Sequence, residues 1–198
     1  MKTTQTMSTM VAISLSAAAA AQVRNCGFDS PDYHLGALAG QAGWTVRPPG
    51  APASVATVVS NPLTGGNQAT RFDQSAYVSE FYVDWSPNVM LNPTQTSADV
   101  EWDFYYEHGS GFGWVVEVKA DNNARLGWLL IDSGNMWYST HGTEPLPATR
   151  HMDVHVWHHM KMSMSWQTRR TDFFMDGQQI GSAPWLSLIH ISEPTRLR

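Results

Sequence analysis

Along most of this chain apolar and polar residues alternate one for one, the period of an extended strand whose successive side chains point to opposite faces of a sheet. The clearest run is Val156-Trp157-His158-His159-Met160-Lys161-Met162-Ser163-Met164-Ser165-Trp166. It predicts one long strand with Met160, Met162, Met164 and Trp166 toward a core and His159, Lys161, Ser163 and Ser165 away from it. Phe173-Phe174-Met175-Asp176-Gly177-Gln178-Gln179-Ile180-Gly181 comes next, and Asp-Gly between two such runs signals a two-residue hairpin turn. Upstream, Glu101-Trp102-Asp103-Phe104-Tyr105-Tyr106-Glu107 divides the same way. Trp102, Phe104 and Tyr106 share one face; Glu101, Asp103, Tyr105 and Glu107 share the other.

Further β-rich runs cover 54–60, 68–73, 79–85, 98–107, 112–120, 124–132 and 136–140. Between them lie turn clusters such as Ser86-Pro87-Asn88, His108-Gly109-Ser110-Gly111, Asp121-Asn122-Asn123 and Ser133-Gly134-Asn135. Three prolines and a glycine make 47–53 a loop. No stretch keeps apolar residues at i, i+3, i+4 and i+7 over three turns, so helix is expected to be scarce. The expectation is an all-β antiparallel protein with two packed sheets.

The Trp157-His158-His159-Met160 strand, followed by the aromatic-x-x-Asp-Gly-x-x-Ile-Gly hairpin at 173–181, resembles the concanavalin A-like lectin/glucanase (laminin-G-like) family of β-sandwiches. Asn25-Cys26-Gly27-Phe28-Asp29-Ser30-Pro31 and Gly40-Gln41-Ala42-Gly43-Trp44 are similar to the opening of many secreted bacterial sandwich proteins. The resemblance implies a jelly-roll order, strands beyond Trp185, and glycan binding. It also implies that the 101–107 strand corresponds to the one that carries the catalytic carboxylates in hydrolases of that family.

The ends of the chain read differently from its middle. Lys2 precedes an apolar run from 10 to 21 that ends Ala19-Ala20-Ala21, the form of a cleavable signal peptide and too short to span a bilayer. The mature protein is therefore expected to be secreted or held at the cell surface, without insertion into the membrane. Val23-Arg24-Asn25 ahead of Cys26 lacks the residues of a lipid-anchor signal. Leu186-Ser187-Leu188-Ile189-His190-Ile191-Ser192-Glu193-Pro194-Thr195-Arg196 resembles the translation of a transposon-end adapter, so 186–198 is expected to be a non-native tail and 22–185 one C-terminally incomplete domain.

Within 22–185 nine Lys and Arg stand against sixteen Asp and Glu. An acidic domain is a poor partner for nucleic acid, which requires clustered cations. With Cys26 as the lone cysteine no intrachain disulfide can form, and stability has to come from burial. Nine tryptophans supply core volume or sugar-stacking rings.

The candidate ligand-binding residues are Glu101, Asp103, Tyr105, Glu117 and Lys119, on the wet faces of two adjacent strand candidates, with a polysaccharide or cell-surface glycan as partner. The alternative is a glycoside hydrolase or lyase using Glu101 and Asp103. Glu101 and Glu107 would lie about 20 Å apart on an unbroken strand, too far to cooperate. Glu101 and Asp103, about 6.6 Å apart at the backbone, remain possible. His155 and His159 have the i, i+4 interval of a zinc pair, but on a strand they lie about 13 Å apart. No metal or cofactor is therefore assigned; calcium, weighed at 121–123 or at Asp29 and Asp32, would meet ordinary turn residues.

Overall fold

The computed structural model describes residues 9–16, 24–26, 28, 31–47, 51–61, 67–73, 82–85, 96–106, 114–119, 124–140 and 143–185. The chain folds as an all-β protein in which, among the described residues, every strand pairing is antiparallel. Its elements are β1 (Thr9–Ser16), β2 (Arg24–Cys26), β3 (Gly36–Ala37), β4 (Trp44–Arg47), a 3-10 turn (Ala53–Val55), β5 (Ala56–Ser60), β6 (Gln68–Phe72), β7 (Tyr82–Trp85) and β8 (Ser97–Tyr106). They continue with β9 (Trp114–Lys119), β10 (Arg125–Asp132), β11 (Asn135–Ser139), β12 (Leu146–Pro147), β13 (Trp157–Ser165), β14 (Arg170–Met175) and β15 (Gln178–Pro184). The runs read from periodicity at 98–107, 112–120, 124–132, 136–140 and 156–166 overlap β8, β9, β10, β11 and β13, and the 173–181 hairpin overlaps β14 and β15.

The large sheet has nine strands, in the order β15-β14-β13-β8-β1-β6-β5-β3 with β2 attached to β1. The smaller sheet has the order β12-β11-β10-β9, and β4 and β7 form a separate pair. One apolar cluster joins the sheets, with Val100, Trp102, Phe104, Met160, Met162 and Phe173 from the large sheet and Leu129, Ile131 and Met136 from the small one. The alternation therefore has the phase expected: Met160 and Met162 are completely buried and Trp102 nearly so. Trp166, half-buried, packs edge-on against Trp185 at 5.7 Å.

Glycines mark where the sheets touch. The Met162 sulphur sits 2.7 Å from where a Cβ on Gly127 would be, and the Tyr138 ring covers Gly181. Thr171, fully buried, donates its hydroxyl to the Leu126 carbonyl (2.5 Å) and accepts from the Trp185 indole (2.7 Å). Two hairpins close on the residues that demand it. Ser133-Gly134 and Asp176-Gly177 have φ of 52°, 77°, 52° and 75°, the paired positive angles of a type I′ turn.

Part of the N-terminal run pairs within the large sheet. Residues 9–16 lie between β6 and β8 and pair with β8 over their full length, from Thr9 opposite Tyr106 to Ser16 opposite Asp99. An apolar run with small residues suits an inner strand as well as a signal sequence, so composition alone cannot separate the two.

Candidate functional site

The outward side chains of β8 and β13 form a polar ladder on the large sheet. Because β8 and β13 are antiparallel and in register, Tyr105 stands opposite Trp157, Asp103 opposite His159, Glu101 opposite Lys161 and Asp99 opposite Ser163. Three of the four rungs make a direct contact, and Asp99 is reached diagonally by Lys161. The Tyr105 and Trp157 rings lie 5.4 Å apart at a 47° tilt, both half-buried. His159 Nδ1 is 2.9 Å from Asp103 Oδ1, and its Nε2 is 3.9 Å from Glu101 Oε2. Lys161 Nζ is 2.6 Å from Asp99 Oδ2 and 3.5 Å from Glu101 Oε1.

The ladder extends sideways onto β14 and β15. Lys161 lies over the Phe174 ring at 5.9 Å, Ser182 donates to Asp172, and Arg170 donates to Ser182 (2.7 Å). The hydrogen bond to Asp99 holds the Lys161 ammonium above its usual range against partial burial, helped by the Asp99 and Glu101 charges. Lys161 thus stays a cation and a donor throughout the physiological range.

Beneath the ladder, the Asp176 turn fixes the start of β13. His158 is 5% exposed, with Nδ1 2.8 Å from Asp176 Oδ2 and Nε2 3.1 Å from the Asp153 carbonyl. The backbone N–H of His159 donates to Asp176 Oδ1 (3.0 Å), and that of Asp176 to the His159 carbonyl (2.8 Å). Burial pushes the Asp176 carboxyl up, but the hydrogen bonds from His158 and His159 and the charges of His158 and Arg150 outweigh it and hold it below the usual range. One Asp therefore satisfies a buried imidazole and positions the strand carrying Trp157, His159 and Lys161.

Three of the five residues expected at the site, Glu101, Asp103 and Tyr105, are together on this face. Glu117 and Lys119 are elsewhere, on β9 of the small sheet. Glu117 accepts from Arg125 (2.6 Å) and pairs with Lys119 (3.0 Å), and the Arg125 guanidinium lies 5.6 Å from the centre of the Trp128 ring. The strand paired with β8 on this face is β13, not β9. Asp99, Trp157, His159 and Lys161 were outside the expected set, although alternation had already put His159 and Lys161 on an outward face.

Helical spacing for His155 and His159 does not arise: His155 has φ 62° in the turn before β13, and His159 is in the strand. Among the described residues no group of three His, Cys, Asp or Glu is arranged to hold a metal ion. Glu107, Asp29 and 121–123 lie outside the described residues, and Asp32 is exposed. A cavity of about 270 Å³ sits between β11 and the 147–151 segment, lined by residues that include Trp137, Arg150 and His151 and by none of the ladder. Chemically, the ladder offers alternating acceptors and donors on an open face, ending in an aromatic pair. No family model matches the chain, and comparison with curated proteins and with solved structures likewise gives no match.

Proposed function

We propose that this is an exported carbohydrate-binding β-sandwich, of the jelly-roll order its sequence resemblance implies, that recognises a glycan across the β8–β13 face without making or breaking bonds. The observation that carries the reading is the half-buried Trp157–Tyr105 pair at the head of the Asp103–His159 and Glu101–Lys161 rungs. A pyranose presents an apolar face of C–H groups, which packs on an aromatic ring, and a rim of hydroxyls that both donate and accept. The ladder supplies acceptors and donors within one strand spacing of each other, beside such rings. Asp99, Glu101, Asp103 and Asp172 outnumber Lys161 and Arg170, which favours neutral or amino sugars over sulfated or uronic ones.

The hydrolase reading, with Glu101 and Asp103 as the working carboxylates, requires a pair left available for proton transfer and nucleophilic attack. Here Asp103 already contacts His159, and Glu101 contacts both His159 and Lys161, an arrangement better suited to orienting fixed acceptors. An array of neutral, amino and anionic glycans probed with the intact chain tests the proposal. Binding confined to neutral or amino sugars and lost in Asp103→Asn supports it. Release of reducing ends that Glu101→Gln abolishes would replace it with the hydrolase.

A further inference from the structure

The three outward carboxylates of β8 are not equivalent. Asp99 and Glu101 share the Lys161 ammonium, at 2.6 and 3.5 Å, and their side chains are only 26% and 25% exposed. Asp103 is 57% exposed, and among the described residues its one partner is the His159 ring, which reaches Oδ1 alone. A single imidazole N–H fills one of about four lone-pair positions on a carboxylate. Oδ2 is therefore left to a donor from outside, and no lysine or arginine among the described residues neutralises the charge. The same carboxylate stands beside the aromatic pair. Asp103 and Tyr105 are two residues apart on β8, as His159 and Trp157 are on β13, so Asp103 lies about 6.6 Å along the strand from the rings. For a pyranose packed on Trp157 and Tyr105, that is the reach of one ring substituent and one hydrogen bond.

We propose that the sugar packed on the Trp157–Tyr105 pair carries a free amino group, held as an ammonium against Asp103, and that Asp103 selects a cationic amino sugar over a neutral or N-acetylated one. This inference rests on the glycan reading and names the sugar class within it. A hydroxyl or an N-acetyl amide at the same place on the ring donates a neutral hydrogen bond, whereas an ammonium donates a charge-assisted one, about twice as strong. The aromatic pair favours the same ligand, because a cation is attracted to the face of an indole or phenol ring. So does the rest of the ladder: Lys161 offsets only one of the two charges of Asp99 and Glu101, and the remaining field is negative toward an incoming cation. Selectivity thus comes from Asp103, while ring packing on Trp157 is common to all three kinds of sugar.

Three oligosaccharides of one length and linkage, built from glucosamine, N-acetylglucosamine and glucose, differ only at the C2 substituent and make the test. Each is titrated calorimetrically into the intact chain at neutral pH. The glucosamine oligomer should bind about tenfold more tightly than the other two, and its advantage should disappear in 1 M salt, where charges are screened beyond about 3 Å. Asp103→Asn, at an exposed position, should weaken the glucosamine oligomer far more than the glucose one, and Trp157→Ala should weaken all three by a similar factor. Equal binding of the glucosamine and glucose oligomers, a preference for the N-acetylated one, or a glucosamine preference that survives Asp103→Asn would overturn the inference and leave the glycan reading standing. Binding of none of the three, with none on a wider glycan array, would overturn both.

Discussion

In the proposed glycan site, Trp157 is the residue that would touch the ligand, and Asp176 holds the strand that carries it. Trp157 offers ring area at the end of the ladder, and its replacement by Ala should weaken glycan binding about tenfold, the equivalent of about 1.4 kcal/mol, with little change in Tm. Isothermal titration of the two proteins measures it. Asp176 acts through position. Its carboxyl sits below its ordinary value of 3.8, so the stability it contributes is present above that pH and is lost as pH falls through the lower, folded-state value. Asp176→Asn should therefore lower Tm at neutral pH, and the two Tm curves should converge as pH falls below 3.8 and through the lower, folded-state value. Lys161 has the opposite sign. Its pKa is raised above 10.5, its contribution is complete below that value, and Lys161→Met should differ from the parent at neutral pH but approach it in strong alkali.

Among the elements, the β13–β14–β15 meander and β8 were legible because each carries a strict two-residue period, a buried face of large side chains, or a turn dipeptide. Met162 illustrates the first two. It is completely buried against Gly127 of the opposing sheet, and Met162→Ala should cost about 2–5 kcal/mol in a denaturant titration. Gly177 illustrates the third. At φ 75° any side chain is strained, and Gly177→Val should destabilise the protein by about 1–2 kcal/mol, with nothing around the added Cβ to blame, since no atom lies within 4 Å. What periodicity could not give was adjacency. Glu117 and Lys119 alternate as cleanly as Lys161 and His159, but which strand lies beside β8 is decided by pairings such as Asp103 with His159, 56 residues apart. Nor could it place 9–16, where a leader and an inner strand call for the same residues.

Taken as a whole, the molecule turns the outward face of a nine-stranded sheet into a surface and the inward face into a core shared with the four-stranded one. Asp103 can be an exposed acceptor, and Glu101 and Asp99 half-buried ones, because Trp102, Phe104 and Val100, one residue away, anchor the same strand. The acidic balance of the chain, −5 at pH 7, and the excess of carboxylates on the ladder both disfavour an anionic partner. That account makes the two faces distinguishable. The most direct measurement is calorimetric titration of a neutral or amino-sugar oligosaccharide into the intact chain and into two paired variants, Asp103→Asn/Trp157→Ala on the large sheet and Glu117→Gln/Lys119→Ala on the small one. Binding that disappears in the first pair and is retained in the second is the expected result; binding that survives the first pair, or disappears only in the second, would contradict the assignment of the β8–β13 face.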